Sequence, residues 1–494
     1  MPHEVLRSNT FYPPTLLCDF YKVSHKDQYP KGTEKIYSTW TPRVSRLEGV
    51  NEVVAFGFQA FVNEYLVDYF QRHFFDRNVE EVCIEYARVL KYSLGIPNPD
   101  IKHIAALHRL GYLPLRIKAV PEGTLVPIRT PMLTVENTIP EFFWLTNYIE
   151  TLMSLSLWKP STSATLSREY RKILDLYAEL TGGPKDFVQF QGHDFSMRGM
   201  DRVEAAALSG AGHLLSFSGT DTIPAITFLE KNYGADITKE LVGTSIPASE
   251  HSVMCAYGQD ELAAYKELIT KVYPAGFVSI VSDTWDLWSV LTKVIATLKP
   301  EILAREGKVV IRADSGDPVD IICGDPSSHD ERVAKGVIEI LWDIFGGSIN
   351  AKGFKELDPH IGAIYGDAIT IDRCRSICEK LAAKGFASTN MVYGIGSYTY
   401  QYNTRDTFGF ALKSTYARIN GIEKFLFKDP VTDIGGVKKS QTGMVVVNKD
   451  RTFTDGLTEA QRSAAEYDLL RDIFLNGKVS NTQTLAEIRE RLSK

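Results

Sequence analysis

Between Gln191 and Gly199 the chain reads Gln-Gly-His-Asp-Phe-Ser-Met-Arg-Gly. Phe195 offers a flat face on which a ring can stack. Arg198, three residues on, offers a two-pronged grip on a phosphate or a carboxylate. A ligand that is part aromatic ring and part anion would suit both; a polar turn around a buried Phe is the plainer alternative. The run before it, Phe187-Val188-Gln189-Phe190, alternates as a strand does, which predicts that the stretch leaves the end of a strand.

The same pattern recurs downstream. Short apolar runs end in Asp221, Ser245, Asp283, Arg312-Ala313-Asp314, Gly366-Asp367 and Gly394-Ile395-Gly396-Ser397, beside Arg198 in the first stretch. Arginines can clamp phosphate oxygens, and carboxylates can hold Mg²⁺ or ribose hydroxyls. Glycines before a helix can present backbone N–H groups to a phosphate. A sugar phosphate with Mg²⁺ would use all three, whereas an Asp after a strand can equally be a plain helix cap. His251, beside Glu250 after Pro247, suits a phosphate contact, a general base or a phosphoryl acceptor, or simply a solvent-side helix start. His193 and His213 read as supporting residues. GxxxxGK[ST], GxSxG and HExxH motifs are absent.

These residues need elements to hold them. Runs 276–281, 308–311, 360–365 and 390–393 read as strands, and 167–180, 201–215, 222–232, 285–298 and 371–383 as helices. Asp283 and Asp314 are 31 residues apart (314 − 283), about one βα unit. Alternating β and α predicts a parallel sheet, and in a βα barrel the working residues sit at the C-terminal strand ends. Residues 161–400 therefore read as an irregular βα barrel; an open doubly wound sheet would also place a ligand at strand ends. Residues 1–160 are mixed, with strands near 35–40, 115–120 and 132–136 and a buried helix at 141–158. Residues 401–494 carry strand-like runs at 410–412, 425–427 and 444–447, a basic loop at 435–440, and a segment 458–491 that reads as helix-rich and exposed. The C-terminal strands are expected to return to the N-terminal part, giving a second α+β domain built from both termini.

Composition narrows the class. The 494 residues are 44% hydrophobic and 23% charged, enough for a large core and two domains. A net charge of −6 argues against nucleic-acid binding through bulk positive charge. Residues 1–10 show no signal-peptide pattern, and no apolar run is long enough for a membrane span. Six scattered cysteines do not make a disulfide framework, so reduced thiols in the cytoplasm are expected.

The ordered motifs resemble one family over nearly the whole chain. They are 19–25 (DFYKVSH), 117–123 (IKAVPEG), 134–138 (TVENT), His193-Asp194-Phe195 with Arg198-Gly199, Gly219-Thr220-Asp221-Thr222, and Glu250-His251-Ser252 after Pro247. Then come Val281-Ser282-Asp283, Arg312 with Asp314-Ser315-Gly316, Gly366-Asp367, Arg405-Asp406 and 427–431 (FKDPV). The chain resembles the nicotinate/nicotinamide phosphoribosyltransferase family, and its nicotinamide-using members most closely. The resemblance implies a type II phosphoribosyltransferase-like fold and transfer of phosphoribose from phosphoribosyl pyrophosphate to nicotinamide. The products would be nicotinamide mononucleotide and pyrophosphate, in NAD salvage. It implies that Phe195 and Tyr21 of the partner subunit sandwich the pyridine ring, and that Asp221 accepts from the carboxamide. Arg312 and Asp314 would hold ribose and pyrophosphate, Gly366 and Asp367 the ribose, and Arg198 a phosphate. Gly396, Ser397 and Arg405 would take the 5′-phosphate, with Arg43, Lys413 and Lys438 adding charge across a homodimer that shares its active sites. Mg²⁺ would arrive with pyrophosphate, near Asp283. His251, with Arg312 and Asp314 a catalytic residue on this reading, would be phosphorylated by ATP, an activating co-substrate. Ser397 stands where the family has a glycine. The alternatives are a nicotinate-using enzyme of the same fold and a non-catalytic binding protein on it.

Overall fold

The computed structural model describes residues 11–366, 368–428 and 440–494. Asp367 and Lys438, and with Lys438 most of the basic loop, lie outside the described residues. The chain divides into two compact units: 1–162, 231–235 and 404–494 make one, and 163–230 with 236–403 the other.

In chain order, β1 is Thr33–Thr41, β2 Leu115–Ala119 and β3 Leu133–Asn137. The second unit then supplies β4 (Gly192–Asp194), β5 (Gly219–Thr220), β6 (Val278–Val281), β7 (Val309–Ala313), β8 (Ile361–Tyr365) and β9 (Met391–Ile395). The chain returns with β10 (Ala411–Ile419), β11 (Ile422–Phe425), β12 (Arg471–Leu475) and β13 (Lys478–Val479).

The terminal unit is built on a seven-stranded sheet ordered β11-β10-β1-β3-β2-β12-β13, antiparallel at every pairing. Its two termini meet because β10 lies along β1 and β12 along β2. Tyr37, Trp40, Ile117, Leu133, Val135 and Phe474 are fully buried in it. Burying apolar surface of this size is what holds such a sheet together. In the same unit Glu122 is fully buried. Its carboxylate accepts from the Gly57 and Gln59 N–H groups at 2.9 and 2.6 Å and from the Tyr233 hydroxyl at 2.9 Å. Burial nevertheless pushes its pKa up to about 7.

The second unit is an irregular βα barrel. Six parallel strands run β5-β4-β9-β8-β7-β6. Residues 244–248 bridge both edges, Thr244 to Gly219 and Ala248 to Ser279, which closes the ring. Register assigns the inward positions. Ser279, Val310 and Gly362 stand at one level, and Arg312, Ile364 and Val392 at another. The alternate residues of β7, Ile311 and Ala313, are buried on the outer side, as alternation along a strand requires.

Three expectations change. Residues 187–190 are not a strand: Lys185–Phe187 is a tight turn and Val188–Gln191 a short helix, and the strand is Gly192–Asp194 itself. A four-residue alternation is too short to separate the two periods. The helices expected at 141–158 and 167–180 merge into one helix, Glu150–Thr181, with Pro160 inside it. A Cβ on Gly57 would lie 2.4 Å from the Pro160 ring, so the bare glycine is what lets the helix pass. The segment 458–491 is not mainly helical, because β12 lies in it and pairs with β2, burying Phe474. No helix among the described residues is long and apolar enough to cross a membrane.

Candidate active site

The barrel gathers Phe195, Arg198, Asp221, His251, Asp283, Arg312, Asp314, Gly366, Gly396 and Ser397 at or just beyond the C-terminal ends of its strands. A cavity of about 510 Å³ runs inward from Phe195, Asp221 and Arg312, a size typical of small-molecule sites.

At the base end, the Phe195 N–H extends the β4–β9 ladder by donating to the Ile395 carbonyl at 3.0 Å. That fixes the ring, which packs against His193 at 4.5 Å between centroids. His193 Nε2 lies 2.8 Å from Asp221 Oδ1, and the Ser245 hydroxyl donates to the same oxygen at 2.6 Å. Burial pushes the Asp221 carboxyl up, but His193, Ser245 and the nearby Arg312 charge outweigh it, so the group sits below the usual carboxylate range. With Oδ1 occupied, Oδ2 is left to accept from a ligand. Gly219 permits this arrangement, since a Cβ there would come within 2.8 Å of His193 Nδ1. Sequence reasoning put Asp221 in this place but gave His193 only a supporting role. It passed over Ser279, whose buried hydroxyl lines the cavity without a partner among the described residues.

Across the mouth, His251 Nε2 is 3.8 Å from Asp283 Oδ1 and 3.7 Å from Asp314 Oδ2, and its Nδ1 is 3.2 Å from the Thr284 hydroxyl. Asp283 Oδ2 accepts from the Asp314 N–H at 3.2 Å and the Ser315 hydroxyl at 2.6 Å. Asp283 Oδ1 is buried with no hydrogen-bond donor among the described residues. An orphaned carboxylate oxygen facing a second carboxylate suits a hard cation. The described residues contain no cluster of three such side chains. A Cβ on Gly366 would lie 2.4 Å from Asp314 Oδ1, so glycine there keeps the carboxylate free.

Among the cations, Arg198 is exposed on the turn Met197–Gly199, and Arg312 Nε is buried without a partner among the described residues. Gly394 lies inside β9, where a Cβ would strike the Tyr365 carbonyl at 2.4 Å. Its lack of a side chain serves strand packing. Gly396 precedes the short helix Ser397–Tyr400. The Ser397 side chain sits over Gly199, whose missing Cβ would be 2.2 Å from its hydroxyl. The added serine is thus accommodated by that glycine.

The remaining candidates belong to the terminal unit. Tyr21 is 56% exposed, just before the helix Lys22–Gln28. Arg43, Arg405, Lys413 and Lys428 share one electrostatic neighbourhood. Burial lowers the Lys413 pKa, Glu150 opposes that, and the three other cations press it down further. A cluster of this kind is suited to an anion.

The chain is similar to known proteins along most of its length. A model described as "Nicotinate phosphoribosyltransferase (NAPRTase) family" matches residues 190–478, and one described as "Nicotinamide phosphoribosyltransferase, N-terminal domain" matches 15–81. The chain is 48% identical to a nicotinamide phosphoribosyltransferase of Acinetobacter baylyi, covering 97% of each chain. It is 34% identical to one of Xanthomonas campestris, covering 95% of this chain and 96% of that one. Among solved structures, a nicotinate-nucleotide pyrophosphorylase from Pyrococcus furiosus superposes with a TM-score of 0.57 at 14% identity, covering 98% of this chain and 97% of that one. Human nicotinic acid phosphoribosyltransferase superposes with a TM-score of 0.51 at 17% identity, covering 97% and 93%.

Proposed function

Because this chain belongs to the nicotinate phosphoribosyltransferase family, we propose that it transfers phosphoribose from phosphoribosyl pyrophosphate to nicotinamide. The products are nicotinamide mononucleotide and pyrophosphate, within NAD salvage. The observation that carries this is the end-to-end likeness, at 48% identity, to a relative of that name.

The residues suit the chemistry. The pyridine nitrogen forms a bond to ribose C1 as the C1–O bond to pyrophosphate breaks. Such a step gains most from holding the two partners in line and from neutralising the departing charge. Phe195 carries the ring, with Tyr21 of the partner subunit on its other face. Asp221 Oδ2 accepts from the carboxamide and fixes the ring's rotation. Arg312 and Arg198 face the pyrophosphate, and Asp314 and Gly366 the ribose. Gly396, Ser397, Arg405, Arg43 and Lys413 receive the 5′-phosphate. Asp283 and Asp314 would hold Mg²⁺ arriving with the pyrophosphate, and the ion would supply positive charge to the leaving group.

Nicotinamide is favoured over nicotinate by one feature. An ionised Asp221 welcomes an amide N–H and repels a carboxylate. Turnover measured with each base decides between them: nicotinamide is expected to be used, and a preference for nicotinate overturns the reading. Release of no pyrophosphate with either base would favour a non-catalytic binding protein.

His251 is the group to accept the γ-phosphoryl of ATP on a ring nitrogen, releasing ADP. The Thr284 hydroxyl lies 3.2 Å from Nδ1, and Asp283 and Asp314 lie 3.8 and 3.7 Å from Nε2. An acid-labile phosphoprotein with ATP, lost in His251→Ala, is the expected result; equal labelling of the variant sinks it. Exposed Phe20 and Tyr21, with Leu155, Leu176 and Leu180 exposed along one helix, support a homodimer, which light scattering tests. Six free cysteines, four of them buried, support a reducing, cytoplasmic setting.

A further inference from the structure

The helix Val203–His213 ends on a histidine that is fully buried and does not line the cavity. Both of its ring nitrogens are engaged. Nε2 lies 2.9 Å from the Gly219 carbonyl, and Nδ1 lies 2.7 Å from the Tyr400 hydroxyl. A carbonyl can only accept, so the proton sits on Nε2. Burial pushes the His213 pKa down, against the opposing charge of Asp194, and keeps the ring neutral. Nδ1 of the neutral ring is then an acceptor, and the buried Tyr400 hydroxyl donates to it. The bonds therefore run in one direction, from Tyr400 to His213 to Gly219. Phe217 stacks on the imidazole with centroids 5.2 Å apart. A Cβ on Gly192 would come within 2.8 Å of the Phe217 ring, so that glycine lets Phe217 lie there.

We propose that His213 is a positioning residue that sets the spacing between the base pocket at Asp221 and the 5′-phosphate turn at Gly396 and Ser397, through its bonds to Gly219 and Tyr400. This role rests on the transfer reading and deepens it. Three observations carry it. First, the two bonds end on the two subsites. Gly219 opens the strand that delivers Asp221, and His193, the partner of Asp221, packs on it. Tyr400 closes the helix that starts at Ser397. Second, the same helix is fastened to a third strand end. The buried Tyr170 hydroxyl donates to the Ile369 carbonyl and accepts from the Thr399 hydroxyl, each at 2.8 Å. Ile369 stands three residues after Gly366. All of these residues belong to the barrel unit. Third, the chain is buried and polar. Breaking one bond leaves an unpaired atom away from water, so one arrangement is strongly preferred. An in-line displacement gains from such fixed spacing, because small misplacement of the reacting groups costs rate steeply.

The test measures the affinities of the full chain for nicotinamide alone and for phosphoribosyl pyrophosphate with Mg²⁺ alone, by calorimetry, beside turnover. Tyr400→Phe keeps the ring and removes one hydroxyl on the phosphate side. It is expected to weaken nicotinamide, which binds at the other end, by about threefold or more, and to lower kcat by about tenfold or more. His213→Gln keeps a donor for the Gly219 carbonyl and gives up the acceptor for Tyr400. It is expected to weaken both ligands, and the double variant to be no worse than either single one, because both substitutions cut the same bond. Unchanged nicotinamide affinity in Tyr400→Phe, additive losses in the double variant, or a lowered melting temperature with both affinities intact overturns the proposal. Should Tyr400→Phe fail to fold, His213→Gln carries the same comparison. A wild type without turnover defeats the transfer reading and this role with it, whereas turnover together with intact affinities in the variants defeats this role alone.

Discussion

In the terminal unit the space beside the central strands is filled by Tyr37, Trp40, Phe410 and Tyr416, all fully buried, with Trp40 stacked on Phe410 at 5.4 Å and 3° between planes. In the barrel the inward positions include the small or medium residues Gly219, Ala248, Ser279, Val310, Gly362 and Val392 beside Arg312 and Ile364, and they leave a cavity of about 510 Å³. Barrels of this general kind usually fill their centre with layered side chains. The two interiors teach that residue size at inward positions separates a region that stabilises from a region that binds. The two carboxylates Glu122 and Asp221 follow the same division. Glu122 is sealed in the packed unit and its pKa is raised; Asp221 opens on the hollow one and its pKa is lowered.

The contrast can be broken in four ways. The largest effect is expected from Trp40→Ala, which should cost about 4 kcal/mol in denaturant unfolding while leaving the KM for nicotinamide unchanged in the folded fraction. A loss under about 1 kcal/mol would mean the terminal sheet is not packed as described.

Next is the pH dependence of stability. Glu122 has a folded pKa of about 7 against an ordinary 4.5. Between those values the folded chain holds a proton that the unfolded chain has released. Its contribution is therefore full below pH 4.5 and is lost as pH rises through 7. The loss amounts to about 3 kcal/mol. Glu122→Gln should flatten that slope in thermal melts recorded from pH 5 to 8. An unchanged slope would assign the dependence to other groups.

Third, Asp221→Asn should raise turnover of nicotinate relative to nicotinamide by roughly tenfold or more, with little change in melting temperature. Unaltered discrimination would move specificity to another residue, Ser279 being the first to examine.

The smallest effect is expected from Val310→Ala, which should cost under about 1 kcal/mol. Its side chain already faces empty space, so truncation removes few contacts. A loss as large as that of Trp40→Ala would show a filled barrel.

Much of the site was legible before any coordinates. Asp221, Asp283, Arg312 and Asp314 each follow an apolar run, and a parallel strand leaves its terminal residue on the rim of a barrel. The alternation of 31 residues from Asp283 to Asp314 is a local property of the chain, so the sequence could reveal it. The family resemblance then told Phe195 apart from an ordinary buried Phe.

Other features could not be read in this way, because they depend on residues that are distant in the chain. Gly57 lets Pro160 remain inside one long helix, and Gly199 makes room for Ser397. The segment 244–248, too irregular to look like a strand, closes the barrel through single bridges. His193 and Ser245 converge on one oxygen of Asp221 from different barrel segments. The sequence by itself determined which residue types stand at the strand ends, since strand periodicity is written in neighbouring positions. Only the tertiary structure decided that the barrel is hollow. Inward and outward are set by register between strands, and register is a relation among segments that no single segment contains.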